Sequence, residues 1–244
     1  MISEEKTMKK YAHWKLIGTL LWGCAIFLFV QIFVTALIML TNTSDYSAAA
    51  IIEITKNIEK NGVLLSLFAI ATMILGVAAI FLVIKFKKNS NLIDYLAINK
   101  ISYQLTLRWI GLAVGYITLA EAIRLLLGEP MVPEFMSTIY KTASPIWMLW
   151  MALIVAAPIF EEVFFRGFLY KGLVASPVGT IGAILFTSAA WAVIHTQYGY
   201  IDMSIIFFLG ILLGYARFKS NSILVPIAMH SFINLLATIQ AAIW

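Results

Sequence analysis

Charged residues are scarce in this chain, at 12% of 244, where an ordinary soluble domain carries roughly 25%. With 62% hydrophobic residues and a mean hydropathy of +0.93, that scarcity excludes a disordered chain and argues against a water-soluble globule. What remains is one integral membrane domain over residues 1–244. Cysteine is scarcer still. Cys24 stands alone, so no intrachain disulfide and no cysteine-based metal cluster can form, and nothing around it marks a nucleophile. No H-E-x-x-H and no G-x-S-x-G occurs, which removes the usual helical zinc-protease arrangement and the serine elbow. The net charge of +5 comes from Lys and Arg spread between apolar runs, so nucleic acid is not an expected partner. Internal repeats, low-complexity tracts and Pro- or Gly-rich linkers are also absent.

What is present is a series of apolar runs. A bilayer core takes about 20 apolar residues in a helix. Such runs are Leu16–Leu40, Val63–Ile84, Trp109–Leu127, Pro145–Phe160 continuing into a charged stretch, Val178–Ile194, the short Met203–Ala216, and Ile223–Trp244. The expectation is an all-α polytopic bundle of about seven spans. The first run exceeds the roughly 7–15 apolar residues of a signal peptide and lacks a convincing cleavage site, so it reads as a retained helix. Interfacial helices are expected in Thr41–Gly62, with Ile51, Ile52, Ile54 and Ile58 on one face, and in Asn89–Arg108, along the headgroups.

Seven spans can be oriented by their basic residues. Lys6, Lys9, Lys10, Lys15, Lys85, Lys87, Lys88, Lys100, Arg108, Arg166, Lys171, Arg217 and Lys219 would share one side, against Lys56, Lys60 and Lys141 on the other. The N-terminus is therefore expected in the cytoplasm and the C-terminus outside. Without retention or lipidation signals, a prokaryotic plasma membrane is the expected location.

An ionisable group near the bilayer centre costs about 2.5–3.5 kcal/mol on insertion scales, so it marks a polar cavity or a function. Glu161, Glu162 and Arg166 fall within six residues, among Phe160, Phe164, Phe165 and Phe168. They read as part of a helix continuing the fourth span to about Val174, kinked by Pro158. Glu162 and Arg166, four apart, can pair on one face. Glu161 is turned about 100° away, which leaves it available for proton transfer.

His195 ends the fifth span, and His230 and Asn234 share a face of the seventh. Measured from Pro177 at about 1.5 Å per residue, Glu161 and His195 lie at depths of roughly 24 and 27 Å. His230 and Asn234 lie roughly 14 and 20 Å from Asn221, so convergence in the membrane is allowed. Glu121 and Arg124 read as a structural ion pair, His13 as interfacial, and Arg217 and Lys219 as cytoplasmic anchors.

These elements resemble the CAAX protease and bacteriocin-processing family of intramembrane endopeptidases. Glu161-Glu162-Val163-Phe164-Phe165-Arg166 matches its E-E-x-x-x-R motif, His195 the histidine of its F-x-x-x-H, and His230-Ser231-Phe232-Ile233-Asn234 its H-x-x-x-N. The likeness runs from about Pro145 to Asn234, within a motif-bearing region spanning 145–240. Trp191 stands where the second motif usually has Phe, a change read as conservative packing.

The resemblance implies peptide hydrolysis. Glu161 would act as general base on a water shared with His195, and His230 and Asn234 would stabilise the oxyanion. Glu162 and Arg166 would orient the segment, with Arg166 also available to a substrate carboxylate. Alternatively Glu161, His195 and His230 would ligate Zn²⁺ with an open position for water, a metalloendopeptidase arrangement. Expected partners are the lipid bilayer and a membrane-associated or prenylated peptide or protein. The competing class is a non-proteolytic membrane protein of the same fold, acting in bacteriocin self-immunity or as a partner-binding scaffold. A small-solute transporter is a more distant third, since buried carboxylates also serve proton coupling.

Overall fold

In hydrocarbon every backbone N–H and C=O must be satisfied within the protein, and an apolar chain does this by forming helices. The computed structural model describes residues 12–244. Lys6, Lys9 and Lys10, which carry part of the charge asymmetry, lie outside the described residues. Among the described residues ten helices follow in order: α1 (Leu16–Asn42), α2 (Ala48–Lys60), α3 (Gly62–Phe86), α4 (Leu92–Leu96), α5 (Tyr103–Leu126), α6 (Glu134–Thr142), α7 (Ile146–Val174), α8 (Gly179–Val193), α9 (Tyr200–Ser220) and α10 (Leu224–Ile243). No strand occurs among the described residues. Six of these, α1, α3, α5, α7, α9 and α10, are long and apolar enough to cross a membrane. The expected fifth span is α8, apolar but only 15 residues long. The short run at 203–216 gains flanking turns and becomes the 21-residue α9.

Polar residues between the runs set where helices begin. The Ser47 hydroxyl accepts from the amide of Ala50 to start α2, Asn61 caps α3 through Val63 and Leu64, and Ser102 caps α5 through Leu105. Each cap satisfies amides that have no partner inside the helix. In α2 only Ile54 and Ile58 turn inward; Ile51 and Ile52 are exposed, so the inward stripe is narrower than the four isoleucines suggested. The segment 89–108 is more deeply engaged than a headgroup-level helix would be. Tyr95 and Leu96 are buried, Tyr95 stacks on Phe168 at 5.8 Å between centroids, and Gly167 lets Leu96 and Ile223 approach the α7 backbone.

The bundle is organised around α7, which packs against α1, α3, α8 and α10. Glycine makes the α1–α7 approach possible. A Cβ at Gly172 would overlap the Thr19 side chain, and one at Gly23 would meet Leu169. Pro158 does not end α7. The helix instead opens into i→i+5 turns over Ala152–Ala156 and again over Glu162–Leu169. Such π turns are rare and often accompany functional sites. They also pack more residues into each length of axis than an α turn. That shortens the axial distance from Glu161 to the turn at Pro177 and brings the carboxylates toward the level of His230.

Candidate active site

Glu161 and Glu162 straddle the start of the second π stretch, and their surroundings differ sharply. Glu162 is fully buried. Its Oε1 accepts from Arg166 Nη1 at 3.0 Å and from His230 Nδ1 at 2.9 Å. Arg166 is equally buried and donates through Nη2 to the Gly210 carbonyl at 3.2 Å. Its guanidinium also lies 4.5 Å from the Trp191 ring centroid. Gly210 fits this arrangement because a Cβ there would crowd Arg166 Nη2 and Ser188. Arg166, counted among the loop charges from sequence, is thus an interior residue, and its occupied donors turn inward rather than to a substrate carboxylate.

Glu161 keeps 15% of its side chain exposed. Its Oε2 accepts from Trp191 Nε1 and lies 4.0 Å from His230 Nε2. Its second oxygen, Oε1, has no hydrogen-bond partner among the described residues. Trp191 joins the site together. Its ring meets His195 edge-on at 5.3 Å and His230 at 5.1 Å. Sequence reading missed this role by treating Trp191 as packing. The available signal was chemical: a buried indole N–H seeks an acceptor, and Phe in its place has none.

His195 stands just after α8, half-buried, with Nδ1 2.7 Å from the Trp191 carbonyl and the ring stacked on Tyr198. A carbonyl can only accept, so Nδ1 carries the proton in this contact and Nε2 is the free ring nitrogen. Asn234 donates from Nδ2 to the Leu153 carbonyl at 2.8 Å. Glu161, Glu162, Arg166, His195 and His230 therefore gather around Trp191 and each other, while Asn234 reaches α7 farther along.

Among the described residues no three His, Cys, Asp or Glu side chains are grouped closely enough to hold a metal ion. The Zn²⁺ set of Glu161, His195 and His230 is not assembled here, and the donor geometry does not support a metalloendopeptidase. Away from this centre, Arg124 pairs with Glu121 at 3.1 Å and with Asp202 at 2.8 Å, and donates to the Pro130 carbonyl. That network ties α5 to α9 and to the loop before α6, as suits a structural ion pair.

No curated protein and no solved structure matched the chain. A protein-family model did, over residues 143–236, and it is described as type II CAAX prenyl endopeptidase Rce1-like. The match runs from α7 into α10 and takes in all three motif elements together with Trp191. Over residues 143–236 the chain is similar to that Rce1-like family, a likeness consistent with the CAAX protease and bacteriocin-processing family.

Proposed function

We propose that this protein is a CAAX-type intramembrane endopeptidase, hydrolysing a peptide bond of a membrane-associated or prenylated peptide. The observation that supports this best is the unequal treatment of two adjacent carboxylates. Glu162 is fully buried, with Oε1 bound by both Arg166 and His230 and Oε2 enclosed away from water, whereas Glu161 retains solvent contact. Of the two, Glu161 is the carboxylate that water can reach, and it can take a proton without disturbing the bonds from Arg166 and His230 to Glu162.

In the reaction we assign, Glu161 takes a proton from water as the water oxygen bonds to the peptide carbonyl carbon. The free Nε2 of His195 holds the other water hydrogen. His230, fixed through Nδ1 by Glu162, presents Nε2 beside Glu161 and in its doubly protonated form donates to the developing oxyanion. Glu161 then passes the proton to the amide nitrogen as the C–N bond breaks. Glu162 and Arg166 orient His230 and Trp191. The location we propose is a prokaryotic plasma membrane with a cytoplasmic N-terminus.

The test is hydrolysis by purified protein in detergent, using a fluorogenic prenylated peptide and an unprenylated peptide library. Wild type should cleave at least one of them, and Glu161→Gln, with an unchanged melting temperature, should lose the activity. Wild-type rates in Glu161→Gln and His195→Ala would overturn the assignment. An immunity or partner-binding phenotype that survives both substitutions would favour the scaffold reading instead.

A further inference from the structure

Pro158 leaves a gap in the hydrogen bonding of α7. The Ala157 amide closes on the Ala152 carbonyl, completing an i→i+5 turn. One residue on, the matching donor to the Leu153 carbonyl would be residue 158, which is proline and has no N–H. The i+4 donor, Ala157, is already committed to Ala152. Leu153 O thus has neither helical partner, in a segment apolar enough to cross the membrane. Asn234 Nδ2 supplies the donor from α10, at 2.8 Å.

We infer that Asn234 is a positioning residue that replaces the amide hydrogen missing at Pro158. A freed carbonyl in a membrane helix is tolerated when a neighbouring helix satisfies it. Four residues before Asn234, on the same face of α10, His230 Nδ1 donates to Glu162. The two polar side chains of the H-x-x-x-N element therefore both bond to α7, one on each side of Pro158. Two such bonds fix the register of α10 on α7, and with it the placement of His230 Nε2 beside Glu161. This role differs from the direct oxyanion donation that family resemblance implies for Asn234. It accounts for the one residue of the constellation that lies away from Trp191.

The inference predicts a reciprocal rescue. Replacing Pro158 with alanine restores an N–H at the position that Leu153 O lacks. Asn234→Ala alone should lower the melting temperature in detergent by on the order of 5 °C, and Pro158→Ala alone should change it little. The double variant should recover most of the loss. If Asn234→Ala alone cannot be purified folded, a folded double variant is the supporting result and an unfolded one overturns the inference. Additive losses in the double variant also overturn it.

An activity arm rests on the endopeptidase reading, whereas the stability arm does not. In Asn234→Ala, kcat on the cleaved peptide should fall about tenfold with KM within about twofold, and Pro158→Ala should restore it. Restored stability with kcat still depressed would show that Asn234 acts on the reacting atoms, and would overturn the positioning role. Absence of hydrolysis in the wild type would sink the proposed function alone and leave the stability cycle to decide the inference.

Discussion

A single residue step separates a carboxylate that is fully buried and ion-paired from one that keeps contact with solvent. Glu162 accepts from Arg166 and His230, and Glu161 accepts from Trp191 while its other oxygen stays open. The pairing of Glu162 with Arg166 was legible in their spacing, because i and i+4 stay on one face whether the turn closes at i+4 or i+5. The role of Trp191 was not, since hydropathy patterns show where an aromatic packs and not where its N–H points. Trp191→Phe keeps the aromatic surface against His195, His230 and Arg166 and removes only the donor to Glu161. A hydrogen bond to a charged group contributes about 1.5–3 kcal/mol, so kcat should fall roughly ten- to a hundredfold with KM nearly constant. Peptide kinetics on a folded variant measure this. An unchanged kcat would return Trp191 to a packing role.

At the scale of elements, α7 carries the site, and its neighbours compensate for its irregularities. Gly210 admits Arg166, and Gly172 admits Thr19. Removing the Arg166 charge leaves the Glu162 carboxylate buried with His230 as its one remaining partner. Breaking a buried pair from one side costs about 3–5 kcal/mol. Arg166→Met should therefore destabilise strongly, and Glu162→Gln added to it should recover part of the loss, as read from thermal unfolding in one detergent. Equal melting temperatures for the single and double variants would argue against a shared buried network. Packing offers a second check on the same helix. Gly172→Ala places a Cβ on Thr19, which sits in the facing helix α1, and should lower stability more than an alanine at Gly115, where nothing lies nearby. The π turns themselves could not be read from the sequence. In a helix that is apolar nearly all round, a shift from i+4 to i+5 closure leaves no mark on the pattern. Pro158 was the visible cue, but it suggested a kink and not the side-chain donor that answers it.

For the whole molecule, contacts between connecting segments sort them onto two faces. On one, the Asn99 side chain donates to the Asn221 carbonyl, Ser222 to the Asn99 carbonyl, and Ala12 N–H to Asn89. On the other, Gly62 N–H donates to Thr142, Tyr140 to the Thr238 carbonyl, and Gln240 to Met131, while Phe135 meets Tyr198 edge-on at 5.2 Å. Gly172, in the last turn of α7, lies against Thr19 on the first face, and Tyr198, just after α8, lies on the second. So α8 runs from one face to the other although its 15 residues reach only about 22 Å, against a hydrocarbon core of about 30 Å. The spans were legible because they are runs of apolar residues, whereas the depth of His195 depends on helix length in three dimensions. Among described residues the first face holds Lys15, Lys85, Lys87, Lys88, Lys100 and Lys219, and the second holds Lys56, Lys60 and Lys141, which the positive-inside rule reads as cytoplasmic and external. Cys24 is the one cysteine, so a Cys24→Ala background permits single cysteines at Lys141, Thr196 and Lys219. An impermeant maleimide applied to intact cells should label positions 141 and 196 and spare 219 until the membrane is opened. Labelling of 219 alone would invert the orientation but keep α8 as a crossing helix. Thr196 behaving like Lys219 would show that α8 does not cross.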